Sequence, residues 1–124
     1  MANEPELPVT GWPADVLPYL TLLIEQAVSD RSFSWFKIGR SNDPDGRESA
    51  YQTEYAKKHP FRGPDYFVAV YETSSIDNVM DVEQALIRAF EYKFKGLNIA
   101  DNAGGNVSPE YVQYVYVALW EKRR

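Results

Sequence analysis

Residues 66–72, with the sequence YFVAVYE, form the stretch that most strongly indicates how this chain folds. Aromatic and β-branched residues favour strands, and they dominate this stretch. The turn-forming sequence FRGP at 61–64 separates it from what precedes. Residues 33–39 and 111–120 have the same character, so we predict three strands, over 33–39, 66–72 and 111–120.

Apolar residues at helical spacing occupy the segments before and between these strands. We predict helices over 14–29, 44–58 and 78–94, the second of them opened by Asp43 and Pro44. Three separated strands with helices between them indicate an α+β fold, in which helices flank a small three-stranded antiparallel sheet.

Residues 1–13 contain three prolines and predict an irregular arm, which leaves 14–124 as a single domain. The predicted core of that domain consists of apolar residues from the strands and from two of the helices. They are Leu20, Ile24, Phe36, Ile38, Val68, Val70, Leu86, Phe90, Val115 and Val117.

The composition restricts the classes of protein and of site that the chain can form. Its 124 residues are 44% hydrophobic and include no cysteine, which excludes disulfide frameworks, thiolate zinc sites and cysteine nucleophiles. No apolar run approaches the roughly 18 residues of a membrane-spanning helix, and no basic segment followed by an apolar one opens the chain. We therefore predict a cytoplasmic protein with no membrane partner.

The formal net charge of −5 is unevenly distributed along the chain. Residues 1–30 hold five acidic side chains and no lysine or arginine, whereas residues 31–124 hold thirteen side chains of each sign. The part of the chain that contains the predicted strands is therefore formally neutral. A domain without net charge can still carry a basic surface, so the charge distribution does not exclude nucleic acid as a partner.

An ordered series of polar residues accompanies the predicted elements. The first strand leads into Lys37-Ile38-Gly39-Arg40-Ser41, and Arg47 follows on the second helix. Glu83 lies on the third helix, and Asn98 comes before the glycine-rich stretch 104–106. This order and spacing resemble the GIY-YIG nuclease family, in particular the branch that reads K-I-G in place of Y-I-G.

The resemblance implies a metal-dependent endonuclease that hydrolyses phosphodiester bonds of DNA with a single Mg²⁺ or Mn²⁺ ion. It implies that Glu83 holds the metal, and the chemistry agrees, because Mg²⁺ is often held by one or two carboxylates and several waters. An arginine such as Arg47 matches a phosphate with two parallel hydrogen bonds. The implied catalytic residues are Lys37, Arg47, Glu83 and Tyr116, and the implied substrate-binding residues are Arg40, Ser41 and Asn98.

Two departures from the family pattern concern its tyrosines. The family opens with a G-I-Y strand, whereas here a helix is predicted over 14–29 and the matching sequence lies at 114–119. We hypothesise a circular permutation, which requires residues 112–119 to lie beside 33–39 and lets Tyr116 replace the first tyrosine. Lys37 replaces the second tyrosine, and a tyrosine base would need nearby cations to lower its pKa.

The departures leave a second reading open: a catalytically inactive GIY-YIG-like module that binds nucleic acid or a protein partner. A third reading, an acidic inhibitor of a nucleic-acid enzyme, uses the net charge but not the spacing of the motifs. A nuclease of this size would obtain its sequence specificity from a protein partner, or its specificity would be low. We expect one exposed face to gather Lys37, Arg40, Arg47, Glu83, Asn98 and Tyr116.

Overall fold

Three helices alternate with three strands in the computed structural model, which describes residues 6–30, 33–58, 61–91 and 112–121. This is the α+β fold with an antiparallel sheet that the sequence predicts. In chain order the elements are α1 (Pro13–Asp30), β1 (Phe33–Ser41), α2 (Pro44–Glu54), β2 (Tyr66–Thr73), α3 (Ile76–Phe90) and β3 (Gln113–Glu121).

The second helix is shorter than the sequence predicts. Asp43 caps its first turn by accepting a hydrogen bond from the Gly46 backbone N–H at 3.1 Å. The helix ends at Glu54 instead of 58, because the Lys57 N–H donates to the carbonyl three residues back, that of Glu54, at 3.2 Å. The third helix begins two residues early at Ile76, and its predicted end at 92–94 lies outside the described residues.

The strand order of the sheet is β1-β3-β2, so the last strand in the chain occupies the centre. It pairs antiparallel with both neighbours, and Tyr116 lies opposite Gly39 on one side and Ala69 on the other. Residues 114–121 therefore lie beside β1, as the hypothesis of a relocated strand requires.

Helices cover the two faces of the sheet unequally. The face covered by α1 and α3 holds the larger core, which contains nine of the ten predicted core residues. The prediction for Val68 was wrong, because 38% of that residue is exposed. Val68 lies on the outer strand where the helices leave the sheet face open, and it lines an apolar groove together with Leu7, Leu23 and Ala27.

The smaller core lies between α2 and the opposite face of the sheet, and it is mainly aromatic. Its buried members are Tyr51, Tyr55, Tyr116, Ala118 and Trp120. Edge-to-face contacts connect several of these rings, including those of Tyr55 and Trp120, whose centroids are 5.1 Å apart. This aromatic core anchors the helix that carries Arg47.

The arm before α1 is less irregular than the sequence predicts. The Val9 N–H donates to the Val70 carbonyl, and the Glu72 N–H donates to the Val9 carbonyl, both at 2.9 Å. The Tyr71 hydroxyl also donates to the Gly11 carbonyl at 2.6 Å. The open edge of β2 offers unpaired backbone groups, and the arm satisfies some of them in spite of its prolines. Within the described part of the chain, no helix combines the length and apolar content needed to cross a bilayer.

Candidate active site

Four side chains that the sequence analysis assigned to catalysis come from four different elements and interact electrostatically across the fold. Lys37 lies on β1, Arg47 on α2, Glu83 on α3 and Tyr116 on β3. Lys37 interacts electrostatically with both Arg47 and Glu83. Tyr116 interacts electrostatically with the same two residues. The fold thus brings together two cations, a carboxylate and a phenol that lie far apart in the sequence.

Gly39 makes room for the phenol of Tyr116. The two residues lie opposite each other in the sheet, and a Cβ atom added at Gly39 would be 2.3 Å from the Tyr116 hydroxyl oxygen. Real Cβ atoms do not approach other atoms so closely, so any side chain at residue 39 would displace the ring. The K-I-G sequence therefore requires glycine at residue 39 for a steric reason, and the sequence alone does not reveal it.

Tyr51 is the functional candidate that sequence reasoning missed. It is buried on α2, and its hydroxyl is hydrogen-bonded to that of Tyr116. The two rings meet edge to face with centroids 5.9 Å apart, while Phe67 stacks on Tyr116 at 4.6 Å. Tyr51 follows Arg47 by four residues, and that spacing, which places both on one helix face, was the available signal.

Burial determines the protonation of the two phenols. Removal from water raises the pKa of Tyr116, and the opposing effects of the Tyr51 hydrogen bond and the Arg47 charge are smaller. The pKa of Tyr51 is also raised, chiefly by burial and by its proximity to Tyr116. Both phenols are therefore protonated at neutral pH and serve as hydrogen-bonding groups, and the lowered tyrosine pKa that a phenolate base needs is not found.

Lys37 differs from an ordinary surface lysine. Partial burial lowers its pKa, and the nearby positive charges of Lys58 and Arg47 lower it further, while Glu54 and Glu83 act in the opposite direction. The amine of Lys37 therefore loses its proton more readily than a solvated lysine, which brings it closer to the range in which a side chain can transfer protons.

Glu83 is fully buried and forms an ion pair with Arg40, whose side chain is 12% exposed. Burial raises the pKa of Glu83, and the Arg40 charge and hydrogen bond oppose this shift. The ion pair uses Oε1 of the carboxylate. Among the residues that the structure describes, nothing donates a hydrogen bond to the buried Oε2.

The expectation of one exposed face was wrong for Glu83 and Tyr116. Both are buried, with 0% and 1% exposure, because Arg40 neutralises the first inside the larger core and Tyr51 satisfies the second inside the smaller one. Lys37, Arg40 and Arg47 are half-buried. The described residues therefore form a largely internal cluster with cationic side chains at its surface.

The remaining predicted residues have different positions. Ser41 is buried, and its hydroxyl accepts a hydrogen bond from the Asp43 N–H at 2.9 Å. It therefore supports the turn that begins α2 and thereby helps to place Arg47. Asn98 lies outside the described residues, so its predicted contact with substrate stays a prediction.

Comparison with known protein families shows the family to which the chain belongs. The T5orf172 domain matches residues 20–120, a span that contains all the residues of the cluster. The chain belongs to the T5orf172 domain family. The T5orf172 domain is associated with endonuclease-like function. No curated protein and no solved structure matches the chain.

The two buried tyrosines of this T5orf172 domain should depend on each other energetically. Tyr51→Phe leaves the buried Tyr116 hydroxyl without its partner, so we expect the free energy of unfolding to fall by about 1–2 kcal/mol. Tyr51→Phe combined with Tyr116→Phe removes both polar groups and should cost less than the sum of the single changes. Urea denaturation of the three variants measures this, and strict additivity would contradict the pairing.

Proposed function

We propose that the chain is a metal-dependent endonuclease that hydrolyses phosphodiester bonds of DNA, of the K-I-G branch of the GIY-YIG nucleases. In this proposal β3 replaces the first strand of the family and Tyr116 replaces its tyrosine. The observation that carries the proposal is the electrostatic cluster of Lys37, Arg47, Glu83 and Tyr116, each from a different element. Membership of an endonuclease-associated family supports it.

The cations of the cluster suit a phosphate substrate. Arg47 is permanently charged and can bind two phosphate oxygens at once. It is half-buried, and the anchored helix α2 fixes the position of its backbone beside the cluster before substrate arrives. In this proposal Arg47 holds the scissile phosphate and stabilises the negative charge that develops on it, and Arg40, Ser41 and Asn98 contribute to the substrate-binding surface.

Protons are handled by Lys37 and by the tyrosine pair. Burial lowers the pKa of Lys37, and in this proposal its amine accepts the proton of the attacking water. Tyr116 is protonated, its hydroxyl is hydrogen-bonded to that of Tyr51, and it interacts electrostatically with Arg47. These assignments give the phenol an orienting role and leave the basic role to the lysine.

One observation supports binding of a divalent cation, Mg²⁺ or Mn²⁺, by Glu83. The buried Oε2 atom of Glu83 has no hydrogen-bond partner among the described residues. One carboxylate suffices when the ion keeps several waters and binds the substrate phosphate as well. Such an ion would supply Lewis-acid stabilisation of the phosphoryl oxygens. Arg40 would hold the carboxylate in place through Oε1.

One observation favours the second candidate, a catalytically inactive module that binds nucleic acid or a protein partner. Glu83 is completely buried and its charge is already balanced by Arg40, as in an ion pair that serves only the fold. That module would retain the half-buried cations Lys37 and Arg47, so it would bind DNA without cleaving it. Its affinity would fall steeply as the salt concentration rises.

Cleavage of supercoiled plasmid distinguishes the two candidates. We expect the native chain to nick the plasmid with Mg²⁺ or Mn²⁺ and to stop when EDTA removes the ion. Glu83→Gln preserves the shape of the side chain and should reduce nicking by about a hundredfold or more. Glu91→Gln, the same change on an exposed residue at the end of α3, is the matched control and should have no effect.

The other results are equally informative. Nicking that persists in folded Glu83→Gln would show that Glu83 does not hold the ion. A folded native chain that binds plasmid without nicking it under any of these conditions would establish the inactive module instead.

A further inference from the structure

A polar cavity of about 420 Å³ lies at the end of β2, away from the cluster of catalytic candidates. The arm before α1 forms one wall, and the turn that leads into α3 forms the other. One large aromatic residue and several hydrogen-bonding side chains line it: Trp12, Thr10, Glu72, Thr73, Ser74 and Asn78. We call this cavity the Trp12 pocket.

Trp12 is held in place through its backbone while its side chain stays exposed. Its carbonyl accepts hydrogen bonds from the Asp15 and Val16 N–H groups at 3.0 and 3.1 Å, which begin α1. The preceding residue is fixed because the Gly11 carbonyl accepts a hydrogen bond from buried Tyr71. Even so, Trp12 is 69% exposed, an unusual degree for a large aromatic residue. The backbone of Trp12 is therefore fixed, and its exposed indole offers a face on which a flat group can stack.

The charge of the pocket restricts what can occupy it. Among the described residues that line it there is no lysine or arginine, and the charged one is Glu72. A phosphate would meet a negative charge there without a cation to balance it. A nucleobase suits the pocket better, because a base stacks on an aromatic ring and offers amino and carbonyl groups to amide, hydroxyl and carboxylate side chains.

We propose that the Trp12 pocket binds an unpaired nucleobase of the DNA substrate, stacked on the indole of Trp12. This inference rests on the proposed function, because it assigns a second contact to the same substrate. Ser41, Tyr114 and Glu72 lie opposite one another across the sheet, so the pocket begins two strands away from the end of β1. Two strand spacings amount to about 10 Å, or roughly three base steps along one DNA strand.

The position of Trp12 along the chain indicates what the Trp12 pocket adds to substrate binding. Thr10 and Trp12 precede residues 20–120, so they lie outside the span that the T5orf172 domain matches. Phosphate contacts at the cluster carry no sequence information, whereas a base contact can add selectivity for an unpaired or displaced base. The arm thus adds a substrate-selecting element to a domain whose cationic surface binds any phosphate backbone.

The test compares two single-stranded oligonucleotides of equal length and charge, one ordinary and one abasic, bound to the full chain in the presence of EDTA. We expect Trp12→Ala to weaken binding of the ordinary oligonucleotide about tenfold and to leave binding of the abasic one unchanged. Trp12→Phe keeps a stacking ring and should bind nearly as well as the native chain. Phe61→Ala removes another aromatic residue, 66% exposed, and is the matched control.

Three other outcomes would overturn the inference, and they differ in what they leave standing. Equal weakening for both oligonucleotides would show that Trp12 acts without contacting a base. If folded Trp12→Ala binds the ordinary oligonucleotide as well as the native chain does, the Trp12 pocket does not contact the substrate. That result would not contradict the proposed nuclease function. If the native chain binds neither oligonucleotide at any salt concentration, the proposed function fails together with the pocket.

Discussion

Replacing Arg40 by alanine should lower the free energy of unfolding by about 3 kcal/mol, because it leaves the Glu83 carboxylate buried without its counter-charge. Loss of one partner of a buried ion pair costs about 3–5 kcal/mol in proteins. The lower end applies here, since the 12% exposure of the Arg40 side chain gives water a path to the carboxylate once the guanidinium is gone. Urea denaturation monitored by circular dichroism measures the change.

Two further variants separate the charge from the volume of the Arg40 side chain. Arg88→Ala removes an exposed arginine of α3 and should change stability by less than about 0.5 kcal/mol. Arg40→Met combined with Glu83→Leu replaces the pair by apolar side chains of similar size and should recover most of the loss. If Arg40→Ala is as stable as the native chain, Glu83 does not depend on Arg40 and the ion pair does not stabilise the fold.

Gly39→Ala should cost about 2–3 kcal/mol, since the new methyl group would lie 2.3 Å from the Tyr116 hydroxyl oxygen and 2.5 Å from the ring carbon that bears it. The ring cannot move aside easily. Phe67 stacks on it, Tyr51 holds its hydroxyl, and the residue is only 1% exposed. We also expect the variant to lose nicking activity beyond its loss of stability, because displacement of Tyr116 disturbs the cluster directly.

Gly63→Ala is the matched control for this change. Its added methyl group would lie 2.0 Å from the side-chain amide oxygen of Gln52, so the steric overlap is at least as large as that of Gly39→Ala with Tyr116. Gln52 is exposed and can turn away, losing only its 3.2 Å hydrogen bond to the Pro64 carbonyl, so we expect a cost below about 1 kcal/mol. Equal losses in the two variants would show that the rigidity of the tyrosine cluster is not the cause.

Local sequence patterns were sufficient to predict the elements of the fold. The β-forming runs at 33–39, 66–72 and 111–120 became β1, β2 and β3 with small changes of boundary. Tertiary contacts decided the rest. An apolar run such as YFVAVYE does not reveal where helices cease to cover the sheet, so the exposure of Val68 could not be foreseen. The pairing of Val9 with β2 likewise depends on an open edge far away in the sequence.

The sequence allowed the residues of the candidate site to be named, but it did not show which contacts they make. The family resemblance pointed to Lys37, Arg47, Glu83 and Tyr116, and in the structure both Lys37 and Tyr116 interact electrostatically with Arg47 and with Glu83. Spacing could not show that Arg40 crosses to Glu83, because that contact depends on how α3 lies over β1. The contact between the Tyr51 and Tyr116 hydroxyls is equally non-local, although the position of Tyr51 one helical turn after Arg47 was visible.

The central position of β3 determines when the molecule can assemble. Residues 113–121 are synthesised after every other described element, yet both other strands of the sheet pair with them and not with each other. A ribosome adds about 5–20 residues per second, and until it has passed this strand the nascent chain has two unpaired strands and no completed sheet. A chain that stalls before Gln113 contains Lys37, Arg47 and Glu83 but not Tyr116. The order of synthesis therefore delays assembly of the cluster until the chain has been extended through its last strand.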